Sequence, residues 1–279
     1  MRYGLSFPLA GSFSELKTVA DLVREGEAAG WDGCFVWDHL SIGSGQPLAD
    51  PWIALALIAQ ATKRIKLGPL VTPIFRRDPG KLAYETVTLD HLSQGRLIMG
   101  AGLGSDMFRE ISAFGGPLND VVRAEMLDEG LEILTSLWSG KPFSFAGKHY
   151  HLDQAQVLPS CLQSPRIPIW IAASWQHKAP MRRAARYDGA VPVRGDLTHP
   201  LTPAQIQDVA SYVRRFRSAD DHSFDVIHFG LAAGLPPGEQ KALITSYAAA
   251  GVTWWIETMP SDPRQLEVTR RRIRYGPPG

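Results

Sequence analysis

The feature that most constrains the fold is a regular alternation of short apolar segments with amphipathic, helix-like segments. The apolar segments are apolar on both faces, which is typical of parallel strands covered by helices. The segments that we predict as strands are residues 3–7, 34–37, 65–71, 97–101, 167–173, 188–193, 225–232 and 252–257. Most of the segments between them predict helices, so the chain is a series of repeated βα units.

Capping residues mark where the helices begin and end. Asp50, Asp78 and Thr202 each stand directly before a proline. That pattern predicts an N-cap followed by proline at the first helical position. Gly30 and Gly251 follow amphipathic segments, at the place where a left-handed C-terminal residue is common. The helical segments therefore have defined boundaries.

Eight parallel strands favour a closed barrel, which needs about 250 residues, and the chain has 279. The rival is a doubly wound open sheet, which would carry a glycine-rich first turn followed by an acidic residue about 20 residues later. The turn after the first strand, PLAGSFSE, lacks that pattern. We therefore predict an α/β fold, a single (β/α)₈ TIM barrel over residues 1–279. A hairpin at about 141–163 forms an insertion after the fourth strand.

Composition excludes several classes of partner. The formal net charge is +1, which gives no electrostatic argument for binding nucleic acid or an anionic membrane. No apolar run is long enough to span a bilayer, and the N-terminus has no signal-peptide pattern. Cys34 and Cys161 have no metal-ligand spacing. We expect a reduced, cytoplasmic protein.

Polar residues cluster where predicted strands end, the position of active sites in barrels. Asp38 and His39 directly follow the second strand. We interpret them as a catalytic pair in which Asp38 orients the imidazole through a hydrogen bond; the alternative is a loop histidine beside a loop cap. His149 and His151 lie on one face of the hairpin, as a zinc pair would, but without a nearby acidic ligand we expect no metal. The other polar or glycine positions after strands are Thr72, Arg76, Arg77, Gly102, Gly104, Ser105, Ser174, His177, Arg194 and Glu257.

Several motifs together resemble the luciferase-like monooxygenase superfamily, whose members are flavin- or deazaflavin-dependent (β/α)₈ barrels. The motifs are WDHL, RIKLGPLVTPIFRRDPGKLAYETVTLDHLSQGRLIMGAGLG, LEILTSLWSGKPFSFAGKHY and PRIPIWIAAS followed by AARYDGAV. They cover nearly the whole chain and occur in the family's order. The stretch TLDHLSQGR, leading into a glycine-rich strand end, is the most specific of them.

The resemblance implies a cofactor ring in the barrel mouth and a phosphate tail near the fifth strand. It also implies a cis peptide within GPLV, either a non-prolyl bond or the Gly68–Pro69 bond. The residues that it places against the ring are Asp38, His39, Leu70, Thr72, Gly102 and Gly104. Those that it places near the phosphate are Ala173, Ser174 and Trp175, through backbone amides and a hydroxyl.

An Asp-His pair after the second strand resembles the branches that use coenzyme F-420, a deazaflavin that carries a hydride. With that cofactor His39 is the general acid/base. Ser105 and Asp106 stand where some relatives have a second proton-transferring glutamate, which makes a sugar-phosphate dehydrogenase the less expected activity.

The rival activity is an FMN monooxygenase that uses O₂ and a partner flavin reductase. A non-catalytic flavin-binding protein and a metal-dependent hydrolase are the two remaining candidate functions. Barrels of the family that the chain resembles often pair through helices as homodimers; the apolar segment PWIALALIA is either such a face or the inner side of the barrel's helical ring.

Overall fold

A computed structural model describes residues 1–43, 45–195, 199–218, 223–232 and 234–278. The strands are β1 (Arg2–Phe7), β2 (Gly33–Val36), β3 (Lys66–Pro69), β4 (Thr72–Pro73), β5 (Met99–Gly102), β6 (Phe143–Ala146), β7 (His151–Ala155), β8 (Ile169–Ser174), β9 (Gly189–Val193), β10 (Asp225–Gly230) and β11 (Trp254–Thr258). The α-helices are α1 (Leu16–Ala28), α2 (Pro51–Ala61), α3 (Pro79–Leu92), α4 (Asp120–Leu137), α5 (Lys178–Ala185), α6 (Pro203–Arg214), α7 (Pro237–Ala249) and α8 (Leu266–Tyr275).

In the described part of the chain, nine strands form one sheet in the order β3-β2-β1-β11-β10-β9-β8-β5-β4. All of its ladders are parallel. The order closes between β3 and the chain directly before β5. The N–H of Leu67 donates to the carbonyl of Arg96 at 3.2 Å, and the N–H of Ile98 donates to the carbonyl of Leu67 at 2.8 Å. The predicted barrel is therefore confirmed.

The third predicted strand is present as two pieces, β3 and β4. The first pairs with β2 and the second with β5. Between them lies a cis peptide bond that joins Leu70 to Val71. The cis bond is thus non-prolyl, and the alternative at Gly68–Pro69 is wrong. With β3 and β4 counted as one, the barrel has the eight strands that the sequence predicts.

The predicted caps are present. Asp50 accepts hydrogen bonds from two backbone amides of the first turn of α2, at 2.9 and 3.0 Å. Asp78 caps α3 by accepting one backbone amide at 2.8 Å, and Thr202 forms a capping box at the start of α6. Gly30 and Gly251 have φ values of +97° and +104°, which a residue with a side chain adopts only with strain.

A layer of buried side chains fills the barrel interior. Its members are Phe35, Leu70, Ile98, Trp170, Val191, Ile227, Trp254 and Ile256. Strand side chains alternate between the two faces, so Trp37, Ala172, Phe229 and Thr258 lie on the same face one step nearer the carboxyl ends of their strands. These four are partly exposed. The mouth of the barrel therefore begins directly above this buried interior layer.

The predicted hairpin insertion consists of β6 and β7, which pair antiparallel. It is attached to α4, since the carboxylate of Glu129 accepts the backbone N–H groups of Lys148, His149 and Tyr150. His149 Nε2 lies 2.8 Å from a carboxylate oxygen of Glu125. These contacts give His149 a structural role in holding the hairpin on the helix.

Metal-binding groups and membrane-spanning helices are both lacking in the residues that the structure describes. Among them, no group of three or more His, Cys, Asp and Glu side chains is arranged to hold a metal ion. None of the described helices combines the length and the apolar character needed to cross a membrane.

Candidate active site

Asp38 lies at the carboxyl end of β2 and is 3% exposed. Its carboxylate accepts the hydroxyl of Thr72 at 2.7 Å, Arg77 Nη2 at 2.7 Å and Arg76 Nη2 at 3.0 Å. Burying a carboxylate without partners is expensive. The two guanidinium groups and the hydroxyl supply those partners, so the acid that ends this apolar strand is part of a buried ion-pair cluster.

His39 has a different partner from the one that we predicted. Its Nδ1 lies 2.9 Å from Oε1 of Glu110. The expected Asp38–His39 hydrogen bond is wrong, because the Asp38 carboxylate is taken by Arg76 and Arg77. Arg76 also donates to Glu110, at 3.0 Å, and so joins the two carboxylates into one cluster of two acids and two guanidinium groups.

The imidazole of His39 stands between two aromatic rings. Trp37 meets it edge-on at 5.6 Å between ring centroids, and Phe108 does so at 6.0 Å. The indole N–H of Trp37 is fixed by a 3.0 Å bond to the hydroxyl of Ser6. The His39 side chain is 27% exposed, and within the described residues its Nε2 has no hydrogen-bond partner. Nδ1 of the imidazole is therefore held by Glu110, and Nε2 is available at the mouth of the barrel.

The glycines at and just after the end of β5 pack against the broken third strand. A methyl carbon on Gly102 would lie 2.8 Å from Val71 Cγ2, and one on Gly104 would lie 3.0 Å from Pro73 Cβ. Gly104 also has a φ of +72°. Leu70, in the break, is 6% exposed and belongs to the interior layer. Glycine is thus needed here for packing, and the contact of these residues with a cofactor stays a prediction.

The residues predicted to contact a phosphate differ in whether their polar groups already have a hydrogen-bond partner. The hydroxyl of Ser174, at the end of β8, is buried and has no partner among the described residues. Such an orphan group costs about 1–3 kcal/mol unless a ligand satisfies it. The N–H of Trp175 already donates to Val193 at 3.0 Å, and Ala173 packs in the core between sheet and helices. Of these three residues, Ser174 has a polar group without a partner in the described chain, and the Trp175 amide is already used. The contact of all three with a phosphate stays a prediction.

Sequence reasoning missed three residues of this site: Glu110, Phe108 and Trp37. Glu110 and Phe108 lie in the irregular segment between β5 and α4. Without the periodicity of a strand or helix, the sequence does not predict which way their side chains point. Trp37 did have a signal, because it follows the buried Phe35 by two residues and so shares its face of β2. The position of Glu110 depends on a contact across 71 residues, which a local pattern does not encode.

The sequence profile of the luciferase-like monooxygenases matches residues 4–274. An F420-dependent glucose-6-phosphate dehydrogenase of Nakamurella multipartita is 31% identical over 72% of this chain and 60% of its own length. An F420-dependent hydroxymycolic acid dehydrogenase of Mycobacterium tuberculosis is 33% identical over 63% of this chain and 49% of its own length. A glucose-6-phosphate dehydrogenase of the same cofactor dependence from Beutenbergia cavernae is 31% identical over 86% of this chain and 71% of its own. The chain thus spans about half to three fifths of the length of the first two relatives.

Solved structures share the whole architecture. The monooxygenase RslO1 from Streptomyces bottropensis superimposes with a TM-score of 0.80 at 22% identity, covering 99% of this chain and 97% of its own. The coenzyme F420-dependent tetrahydromethanopterin reductase from Methanopyrus kandleri gives 0.78 at 18% identity, with 99% and 98% covered. At these identities the likeness shows the fold. Together with the profile match over nearly the full length, it leads to one conclusion: the chain belongs to the luciferase-like monooxygenase family.

Proposed function

We propose that this protein is an oxidoreductase that transfers a hydride between the deazaflavin coenzyme F420 and a small organic substrate. The observation that carries the proposal is a histidine at the barrel mouth, held through Nδ1 by Glu110 and without a partner at Nε2 among the residues that the structure describes. The F420 dependence of the relatives supports the choice of cofactor. The buried hydroxyl of Ser174, which has no partner in the described part of the chain, supports an anionic tail on that cofactor.

When bound, the deazaflavin would supply a carbon that accepts or donates a hydride. The protein's own residues then have three tasks. His39 Nε2 takes a proton from the substrate oxygen or returns one, which typically contributes about 10²- to 10⁴-fold. Trp37 and Leu70 present apolar surface beside the ring. Ser174 donates its hydroxyl to a phosphate oxygen.

The remaining predicted site residues support the mouth. Asp38 and Thr72 are buried and bonded to each other, so we assign them to the base of the site, where Asp38 fixes Arg76 and Arg77. Trp175, together with the backbone of Ala173, is assigned to the wall beside the phosphate. Gly102 and Gly104 keep the opening beside the broken strand free of side chains.

Cofactor titration tests the proposal. We expect F420 to quench the tryptophan fluorescence of the purified protein with saturation, and FMN to bind far more weakly. Ser174→Ala is expected to weaken F420 binding about tenfold, because a hydrogen bond to a charged group is worth about 1.5–3 kcal/mol. The control is Ser246→Ala, an exposed serine of α7, which should leave binding unchanged. Tight FMN binding without F420 binding would contradict the proposal.

The second candidate is an FMN-dependent monooxygenase supplied with reduced flavin by a partner reductase. The observation in its favour is the family itself, which is named for monooxygenases. The same titration, carried out anaerobically with reduced FMN as well, separates the two, since this alternative requires binding of reduced FMN. It further requires that turnover consume O₂, which an oxygen electrode measures directly.

We also propose a homodimer formed through α2 and α3. Apolar side chains are exposed on these neighbouring helices, with Ile53 59% and Tyr84 49% exposed, and they line a shallow groove of about 300 Å³. A two-fold symmetric pair would bury the same patch on both copies. Light scattering should therefore give twice 30.7 kDa for the wild type and a monomer for Ile53→Glu. Val268→Glu, on exposed α8 surface, is the matched control; an unchanged mass in Ile53→Glu contradicts the proposal.

A cytoplasmic location is proposed from the cysteines. Cys34 and Cys161 are both free thiols. Burial raises the pKa of the Cys34 thiol well above its ordinary value, which keeps it protonated and unreactive. Two unpaired thiols, one of them fully buried, suit a reducing compartment.

A further inference from the structure

Glu110 is a buried carboxylate that reaches His39 from outside the strands. Its side chain is 3% exposed. Oε1 lies 2.9 Å from His39 Nδ1, and Oε2 accepts the backbone N–H of Leu40 at 3.1 Å and Nη1 of Arg76 at 3.0 Å. These contacts compensate the burial of its charge and tie the segment after β5 to the end of β2.

The partners of Oε2 decide the direction of the bond to His39. A backbone N–H and a guanidinium group can only donate. The positive charge of the Arg76 guanidinium, 3.0 Å away, stabilises the ionised form of this carboxylate, and both oxygens of an ionised carboxylate only accept. It follows that Nδ1 of His39 carries the hydrogen of that bond and that the neutral ring has its lone pair on Nε2.

The turn that presents Glu110 is fixed on its C-terminal side. Oδ1 of Asp106 accepts the N–H groups of Ile111 and Ser112, at 2.8 and 2.9 Å. These backbone bonds, that of Ser112 being the larger cause, hold the pKa of Asp106 below its ordinary value. An ionised Asp106 therefore anchors the two residues that follow Glu110.

We propose that Glu110 is a positioning residue for His39. It holds the imidazole in the Nδ1–H tautomer and so directs the free lone pair of Nε2 toward the substrate. The catalytic meaning of this assignment rests on the proposed function, whereas the tautomer itself does not. The role parallels the buried acid of a catalytic triad, which sets the tautomer of its histidine.

The test is Glu110→Gln, because a glutamine side chain has one acceptor oxygen and one NH₂ group. Leu40 and Arg76 continue to donate, so the amide oxygen faces them and the NH₂ faces Nδ1 of His39. The histidine must then accept at Nδ1 and carry its hydrogen on Nε2. We expect the wild type to show the Nδ1–H tautomer and Glu110→Gln the Nε2–H tautomer.

The tautomer is measured in a long-range ¹H–¹⁵N spectrum of histidine-labelled protein without cofactor, at about pH 9, well above the ordinary histidine pKa of about 6.5. The His39 signal is assigned by its absence in His39→Ala. The matched control is Glu129→Gln, which changes a carboxylate that accepts backbone N–H groups beside another histidine, His149. This control should leave the His39 signal unchanged.

Kinetics give the second readout. In Glu110→Gln we expect kcat to fall at least about tenfold with F420 affinity within about twofold of the wild type, since a wrong tautomer in a triad costs about 10⁴. A wild type in the Nε2–H form, or a variant that keeps the Nδ1–H form and full kcat, overturns the inference. The wild-type spectrum decides alone if the variant does not fold. Absence of F420 turnover in the wild type overturns the proposed function and leaves the tautomer assignment standing.

Discussion

Replacing His39 by alanine is expected to lower F420-dependent turnover about 10²- to 10⁴-fold, the usual contribution of a positioned proton-transfer group. The expected cause is loss of the one ring nitrogen at the mouth that has no partner in the described residues. The change removes a side chain that is 27% exposed, so the barrel should remain folded. The measurement is the steady-state rate with saturating F420, together with far-UV circular dichroism to verify folding.

The matched control for this experiment is His151→Ala. His151 is an exposed histidine of β7, in the hairpin that is attached to α4, and its removal should leave turnover unchanged. If turnover in His39→Ala equals that of the wild type, His39 is not the proton-transfer group. A non-catalytic flavin-binding protein predicts instead that neither the wild type nor His39→Ala turns over F420, while both bind it with the same affinity.

The fold was predictable because its signals are local. A proline after Asp50 or Asp78 and a glycine at position 30 act within one turn of the chain. Strands that are apolar on both faces need only their own composition to indicate a buried parallel sheet. The break at Leu70–Val71 is less local, since it depends on β3 and β4 pairing with different neighbours. The family resemblance, rather than any hydrophobic periodicity, indicated where the break lies.

The sequence predicts where the candidate site lies, but not which residues its side chains bond to. Asp38 and His39 lie at the mouth, as their position after an apolar strand indicates. Their partners come from segments far along the chain, where several donors compete for each acid. Arg76 and Arg77 bind the Asp38 carboxylate, and Glu110 takes the imidazole of His39 instead. Competition of this kind is settled by three-dimensional geometry, which neighbouring residues in the sequence do not specify.

Closure of the barrel depends on two glycines at the junction of β3 and β5. A methyl carbon on Gly68 would lie 1.8 Å from the carbonyl oxygen of Ile98, and one on Gly100 would lie 2.1 Å from that of Pro69. Both obstacles are backbone atoms. The carbonyl of Ile98 is a backbone group directly before β5, so it cannot move aside as the end of a flexible side chain would.

Gly68→Ala is therefore expected to destabilise the protein by about 3 kcal/mol or more, at or above the upper end of ordinary overpacking, with much of the expressed protein insoluble. Urea unfolding followed by tryptophan fluorescence measures the loss. The control is Gly238→Ala in α7, where an added methyl meets nothing within 4 Å and alanine favours the helix; its stability should be unchanged or slightly raised. A Gly68→Ala protein that unfolds within about 0.5 kcal/mol of the wild type, the range of ordinary surface substitutions, would show that β3 and β5 can separate without loss of the barrel.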